Sequence, residues 1–347
     1  MKVMFLYCHD GQMVTGGMKY EDTLYKIWAD NPDVETDRVW LNLPMRGKKR
    51  HLAWTRTLSQ LHRLGGYDLV IFNSAQGDIF LPLARLLRLK GVKTAAVHHH
   101  FIHHDIKGWR RHHYKAWENG FLRSVDHIII PSPYIDALCR DMFPGKNRHY
   151  WQIPFDTPAI PLGNRPEAGN LLFIGTIEPR KGLAYLLEAM TRLKKRGTDC
   201  SLTVIGKTLS AEYRDMLDRK ISREGLRVRF TGYITKEEMD AIVSRSDIFA
   251  FPSLLEGYGM AICESMVNGL PVICFDNSAM PYTVKDGVNG LLVKDRDSAA
   301  MADAIARVIT DRPLRDRLSK GAVETSRGFM TSARFIPMVN RDILSMK

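Results

Sequence analysis

Phe251-Pro252-Ser253-Leu254-Leu255-Glu256-Gly257-Tyr258-Gly259-Met260-Ala261-Ile262-Cys263-Glu264 sets two acids eight residues apart around a glycine-rich turn. The run Asp247 to Ser253 is an apolar strand closed by Pro-Ser, and Met260 to Asn268 is a helix that Gly269 ends. Glu256 therefore falls in the connecting loop and Glu264 on the first turns of the helix. Gly257 and Gly259 have no side chain to obstruct a ligand, so the amides of Tyr258, Gly259 and Met260 can face a phosphate at the helix N-terminus. Two carboxylates would repel a bare pyrophosphate, but they suit a ligand that puts hydroxyls between charge and charge. A nucleoside diphosphate sugar carries such hydroxyls at both ends.

Strand-turn-helix units of this kind recur. Strand-like runs at Lys2 to Cys8, Leu69 to Phe72, Lys93 to Val97 and His127 to Ile130 alternate with helical stretches such as Leu52 to Leu64 and Phe80 to Lys90. A second series follows: Leu171 to Ile174, Ser201 to Ile205, Val228 to Phe230, Asp247 to Phe251, Pro271 to Phe275 and Gly290 to Val293. Alternation predicts parallel sheets, hence an α/β chain of two Rossmann-like, doubly wound domains facing a central cleft. The expected boundaries are 1–152 for the first domain, 153–168 for a linker rich in proline (Pro154, Pro158, Pro161, Pro166), 169–325 for the second, and 326–347 for a terminal helix.

Composition agrees with two cores: 347 residues, 45% of them apolar, are too many for one ordinary domain. The apolar run Val3 to Cys8 is too short for a signal segment, and no stretch approaches the roughly 18 apolar residues of a membrane span. Five scattered cysteines without a CxxC pair indicate free thiols and a cytoplasmic setting, and argue against zinc held through sulfur. A net charge of +12 calls for an acidic partner, either a nucleotide, an anionic membrane surface or nucleic acid. The basic residues are dispersed and form no recognised nucleic-acid motif, so no nucleic-acid partner is expected.

Gly175-Thr176-Ile177-Glu178-Pro179-Arg180-Lys181-Gly182 lies between a strand and the helix Leu183 to Arg196, which holds Arg180 and Lys181 at a helix N-terminus where two cations would stabilise a leaving diphosphate. In the first domain, Val14-Thr15-Gly16-Gly17-Met18 permits close backbone approach to a phosphate or a sugar. All twelve histidines precede residue 150, seven of them between His98 and His113. His98 or His99, at the end of a strand, should project into the cleft and hydrogen-bond a sugar hydroxyl. Adjacent histidines on an extended chain point to opposite faces, and no acids complete a coordination shell, so no metal site is expected. Asp295-Arg296-Asp297 spells a DxD, which Asp297 or Ser298 explains as a helix cap. Leucines at Leu52, Leu58, Leu61, Leu64, Leu81, Leu83, Leu86, Leu87 and Leu89, interleaved with Lys48, Lys49, Arg50, Arg56, Arg63, Arg85, Arg88 and Lys90, allow peripheral contact with an anionic bilayer.

With these motifs together, the chain resembles the family 4 retaining glycosyltransferases of the GT-B fold, most strongly from Leu171 to Asp311. The resemblance rests on Pro252-Ser253 through Glu264, on Gly175 to Gly182, on Gly16-Gly17, on Asn268-Gly269-Leu270-Pro271-Val272-Ile273 and on Asp286 to Val293. It implies transfer of a sugar, with retention of configuration, from an NDP-sugar (UDP- or GDP-linked) to a saccharide or lipid-linked acceptor hydroxyl, in cell-surface polysaccharide or glycolipid assembly. It further implies Glu264 on the ribose, Glu256 on the donor sugar, Arg180 and Lys181 on the diphosphate, and the base near Gly232, Tyr233 and Ile234. His98, with His99 as the alternative, would lie beside the donor sugar, no metal or other cofactor would be obligatory, and the helix after Arg315 would cross back to the first domain. A nucleotide-sugar epimerase or phosphorylase of the same fold is the alternative enzyme, and a nucleotide- or nucleic-acid-binding module the non-enzymatic one. Ser265, Met280-Pro281-Tyr282 and Met18-Lys19-Tyr20 before Glu21 depart from the family pattern and leave the donor sugar open.

Overall fold

The fold is taken from a computed structural model. It describes residues 1–7, 16–41, 52–104, 106, 108–156, 159 and 169–347, apart from the side chains of residues 52 and 53. Cys8, Val14, Thr15, Lys48, Lys49, Arg50 and the linker prolines Pro158, Pro161 and Pro166 lie outside this set. The chain divides into two compact units, Met1–Pro154 with Met330–Lys347, and Phe155–Phe329.

In the first unit a parallel sheet is built from β1 (Lys2–Tyr7), β2 (Glu35–Trp40), β3 (Leu69–Asn73), β4 (Lys93–Val97), β5 (His127–Ile130) and β6 (Asn147–Tyr150), in the order β2-β1-β3-β4-β5-β6. β1, β3, β4 and β5 are almost wholly buried, as strands covered by helices on both faces must be. β2 and β6 were not foreseen. Their sequences, ETDRVW and NRHY, are polar and half-exposed because they form the two edges, where charge also blocks unwanted pairing. The helix Gly77–Leu89 buries Ile79, Phe80, Leu83, Ala84 and Leu87, and the ring of Phe80 lies 4.9 Å from that of Phe72. The helix Ser332–Leu344 belongs to this unit: Trp28 Nε1 donates to the Val339 carbonyl, and Trp151 Nε1 to Asp342 Oδ2 at 3.0 Å.

The second unit carries β7 (Asn170–Ile174), β8 (Ser201–Ile205), β9 (Arg227–Gly232), β10 (Ile248–Phe251), β11 (Val272–Phe275) and β12 (Gly290–Val293), all parallel, in the order β12-β11-β10-β7-β8-β9. Four of its helices start on side-chain caps that satisfy unpaired amides of the first turn: Ser210, Asp297, Asp311, and a full capping box of Thr235 with Glu238. In each sheet the first strand has neighbours reached by crossovers in opposite directions. Such a switch point opens a crevice at the carboxyl ends of the strands. It lies between β1 and β3 in the first unit and between β7 and β10 in the second.

Candidate functional site

The loops after β7 and β10 meet over the second unit's switch point. The turn Pro179–Lys181 ends on Gly182, at φ 71°. A Cβ there would lie 1.8 Å from the Pro252 carbonyl oxygen, so only glycine lets the two backbones touch. The contact is tied by the Leu254 amide, which donates to the Arg180 carbonyl at 2.9 Å. Two motifs some seventy residues apart in sequence thereby share one edge.

Their charges interlock. Lys181 Nζ lies 2.5 Å from Glu256 Oε1 and 5.3 Å from the centre of the Phe251 ring. Arg180 Nη1 donates to the Leu255 carbonyl at 2.8 Å and stands 3.8 Å from Glu256 Oε1, while Nη2 donates to Glu178 Oε1 at 2.9 Å. Ser253 Oγ donates to Glu256 Oε1 at 2.7 Å, and the Glu256 amide donates to Ser278 Oγ at 3.0 Å. Burial by itself would raise the Glu256 carboxyl, but the Lys181 and Arg180 charges and the hydrogen bonds from Lys181 and Ser253 outweigh it and hold the group below the ordinary carboxylate range. Glu256 is thus an anion, and the side chains of Arg180 and Lys181 are fixed beside it at this edge of the sheet.

Past Glu256 and Gly257, Gly259 at φ 87° opens the helix Met260–Val267, whose first amides have no carbonyl one turn back to pair with. The ring of Tyr258 stacks at 5.9 Å on Phe155. Glu264 is half-buried in the same helix. Gly175 follows β7 directly, and its amide donates to the Ile205 carbonyl. Gly232, Tyr233 and Ile234 follow the edge strand β9, separated from β10 by β7 and β8. Tyr233 is 91% exposed, and among the described residues these three share no hydrogen bond or ion pair with the Arg180, Lys181 and Glu256 cluster.

In the first unit the switch point brings together the start of the helix Gly16–Ala29, the end of β3 and the end of β4. His98 does not project from the strand end. Its amide continues the ladder to the Ile129 carbonyl, the side chain is fully buried, Nδ1 shares a hydrogen bond with Ser74 Oγ at 2.8 Å, and the ring sits edge-on to Phe101. Burial first, then the surrounding histidines, push its pKa well down, so the ring is neutral. His99 is the histidine that faces the glycine pair: a Cβ on Gly17 would come within 3.0 Å of its ring. Its Nε2 lies 3.0 Å from Glu21 Oε1, and Glu21 Oε1 also accepts from Asn73 Nδ2.

The remaining candidates have structural roles. His103 pairs with buried Glu118 at 2.6 Å. Among the described residues no three His, Cys, Asp or Glu side chains converge as metal ligands. Asp297 accepts from the Ala299 and Ala300 amides, and Asp295 from Asn277 Nδ2, so the DxD holds local structure. Leu64, Leu81, Leu83 and Leu87 are core, leaving Leu86 and Leu89 exposed beside Arg85, Arg88 and Lys90. No helix among the described residues is long and apolar enough to cross a membrane.

Glu178 and Ser253 lie inside the quoted motifs and Glu21 beside the glycine pair, but their sequence context gives none of them a role at the site, and Ser278 and Asn73 carry no local signal at all. Glu21 is an acid on the helix face that buries Tyr20, Leu24 and Trp28. That misplaced charge was the available signal.

Residues 161–325 match the model of the glycosyl transferases group 1, and residues 8–154 that of a glycosyl transferase 4-like domain. The chain is similar to an alpha-D-kanosaminyltransferase of Streptomyces kanamyceticus, 31% identical over 163 residues, covering 46% of this chain and 41% of that one. It is similar to a D-inositol 3-phosphate glycosyltransferase of Corynebacterium efficiens, 30% identical over 230 residues, covering 64% of this chain and 50% of that one. The chain spans about half the length of these curated relatives. Among solved structures, HepE of Anabaena, crystallised with UDP and glucose, superposes with a TM-score of 0.73 at 19% identity, covering 99% of this chain and 98% of that one. On these matches to both of its units, the chain belongs to the group 1 glycosyl transferases, with a 4-like N-terminal domain and the GT-B fold.

Proposed function

We propose that the chain is a retaining glycosyltransferase that moves a sugar from a UDP- or GDP-sugar to a hydroxyl of a saccharide or lipid-linked acceptor in surface polysaccharide or glycolipid assembly. The observation that carries this reading is the cation-acid cluster at the β7–β10 switch point. Arg180 and Lys181, already oriented by Glu178 and Glu256, offset the charge that builds on the departing diphosphate, the part a divalent cation takes in other sites. The first amides of the helix Met260–Val267 add donors to the same phosphates.

Glu256 Oε1 takes Lys181 and Ser253, and Oε2 is the oxygen assigned to a donor-sugar hydroxyl. Glu264 takes the ribose hydroxyls, with the base near Gly232 to Ile234. In the first unit the sugar hydroxyl contact goes to His99 rather than His98, because His98 is sealed in the core. UDP bound to the structural relative HepE supports the nucleotide class. Peripheral contact with an anionic membrane from a cytoplasmic protein would use Leu86 and Leu89 with their flanking Arg85, Arg88 and Lys90.

Product analysis tests the proposal. Incubation with a panel of NDP-sugars and candidate glycan or glycolipid acceptors should release the nucleoside diphosphate and form a glycoside of the donor's own anomeric configuration, seen by NMR. An altered nucleotide sugar formed without acceptor would show an epimerase instead.

A further inference from the structure

Glu21 is an expensive residue for a helix face. It is 1% exposed, and its Oε2 has no hydrogen-bond partner among the described residues. A buried acid with an unsatisfied oxygen costs more than a leucine or glutamine in the same space, so packing alone does not account for it. What the carboxylate does is fix a ring. The Ala75 amide donates to Asn73 Oδ1 at 2.7 Å, which leaves Nδ2 as the end of Asn73 that faces Glu21. Glu21 Oε1, able only to accept when ionised, takes that N–H and the Nε2–H of His99. Gly17 completes the seat, since a Cβ there would press on His99 Cδ2, Nε2 and Cγ at 3.0 to 3.2 Å. His99 is 18% exposed, and its Nδ1 has no hydrogen-bond partner among the described residues.

We propose that Glu21 is a positioning residue that, with Asn73, locks His99 in the Nε2–H tautomer and presents Nδ1 as an acceptor to a substrate sugar hydroxyl at the carboxyl edge of the first sheet. The inference rests on the glycosyltransferase reading above. It uses the logic by which a buried carboxylate orients a histidine in hydrolase triads, where the wrong tautomer is inactive although the geometry is intact.

The test uses the full chain labelled with 15N-histidine, with His99→Gln to assign the ring signals. The wild type should show His99 with a protonated Nε2 and a bare Nδ1. Glu21→Leu should show mixed tautomers, and turnover should fall by about tenfold to a hundredfold at an unchanged donor KM. Glu21→Gln, which keeps an accepting oxygen in place, should restore the single tautomer and most of the turnover. Mixed tautomers in the wild type, or a Glu21→Leu variant that loses melting temperature but keeps both kcat and tautomer, would overturn the proposal. A locked tautomer in a chain that transfers no sugar from any NDP donor would sink the functional reading, and with it the role given to Nδ1.

Discussion

Replacing Lys181 with Met keeps the side-chain stem and removes the ammonium 2.5 Å from Glu256 Oε1. The two side chains are 14% and 11% exposed, and stranding one charge of a fully buried pair costs about 3–5 kcal/mol. Two neighbours reduce that figure. Ser253 still donates at 2.7 Å, and Arg180 remains 3.8 Å away. Because Coulomb energy scales inversely with distance, the ratio of 2.5 to 3.8 leaves Arg180 supplying about two-thirds of the attraction that Lys181 gave. The expected loss is therefore about 1–2 kcal/mol at neutral pH, or about 3–6 °C in the melting temperature of the second unit.

The pH dependence has a definite sign. In the wild type the Glu256 carboxyl is held below its ordinary 4.5, so its contribution is complete above that value and is lost as pH falls through the depressed one. In Lys181→Met burial regains weight and moves the carboxyl upward. The deficit should be full at pH 7, should begin to narrow as pH falls through the raised pKa of the variant, and should close only once pH passes the depressed pKa of the wild type, where Glu256 carries its proton in both proteins. Thermal melts across this range measure it. An equal deficit at both ends would mean that the loss comes from packing on Phe251, and the ion-pair argument would be refuted.

Gly182→Ala should be more damaging than Lys181→Met, because its Cβ would collide with the Pro252 carbonyl at a positive φ; a loss of stability together with weakened UDP or GDP binding is expected by calorimetry. His149, 3.0 Å from His127, is held near pH 4 by burial and by His127, against an ordinary 6.5. The unfolded chain therefore binds a proton first, and the first unit should lose up to about 3 kcal/mol as pH falls from 6.5 to 4, a slope that His149→Phe should flatten in acid denaturation curves. Lys181→Met and Arg180→Ala should each lower kcat by about a hundredfold in any transfer assay; an unchanged turnover would exclude them from stabilising the leaving diphosphate.

The sequence made the second unit legible strand by strand, because its strands are short apolar runs bounded by Gly, Pro and Ser, and buried strands need that pattern. It hid β2 and β6 because an edge strand has no such requirement: Glu35–Trp40 and Asn147–Tyr150 look like loops until their partners are known. At the site, the glycines and the Arg180-Lys181 pair were visible as local chemistry. Glu178 and Ser278 were not, since each acts on a residue brought near only by folding. The choice between His98 and His99 turned on which face of an extended segment meets the core. Alternation says that the two differ, but not which one the neighbouring strand buries.

In the proposed reading the second unit's β7–β10 edge holds a nucleoside diphosphate. A melting-temperature shift with UDP, GDP and their sugars, for the wild type and Glu264→Ala, tests it most directly, because a ligand that binds only the folded state raises that temperature. A clear rise with one nucleotide, weakened in Glu264→Ala, is expected. A rise of the same size in the mutant, or none with any nucleotide in the wild type, would contradict it.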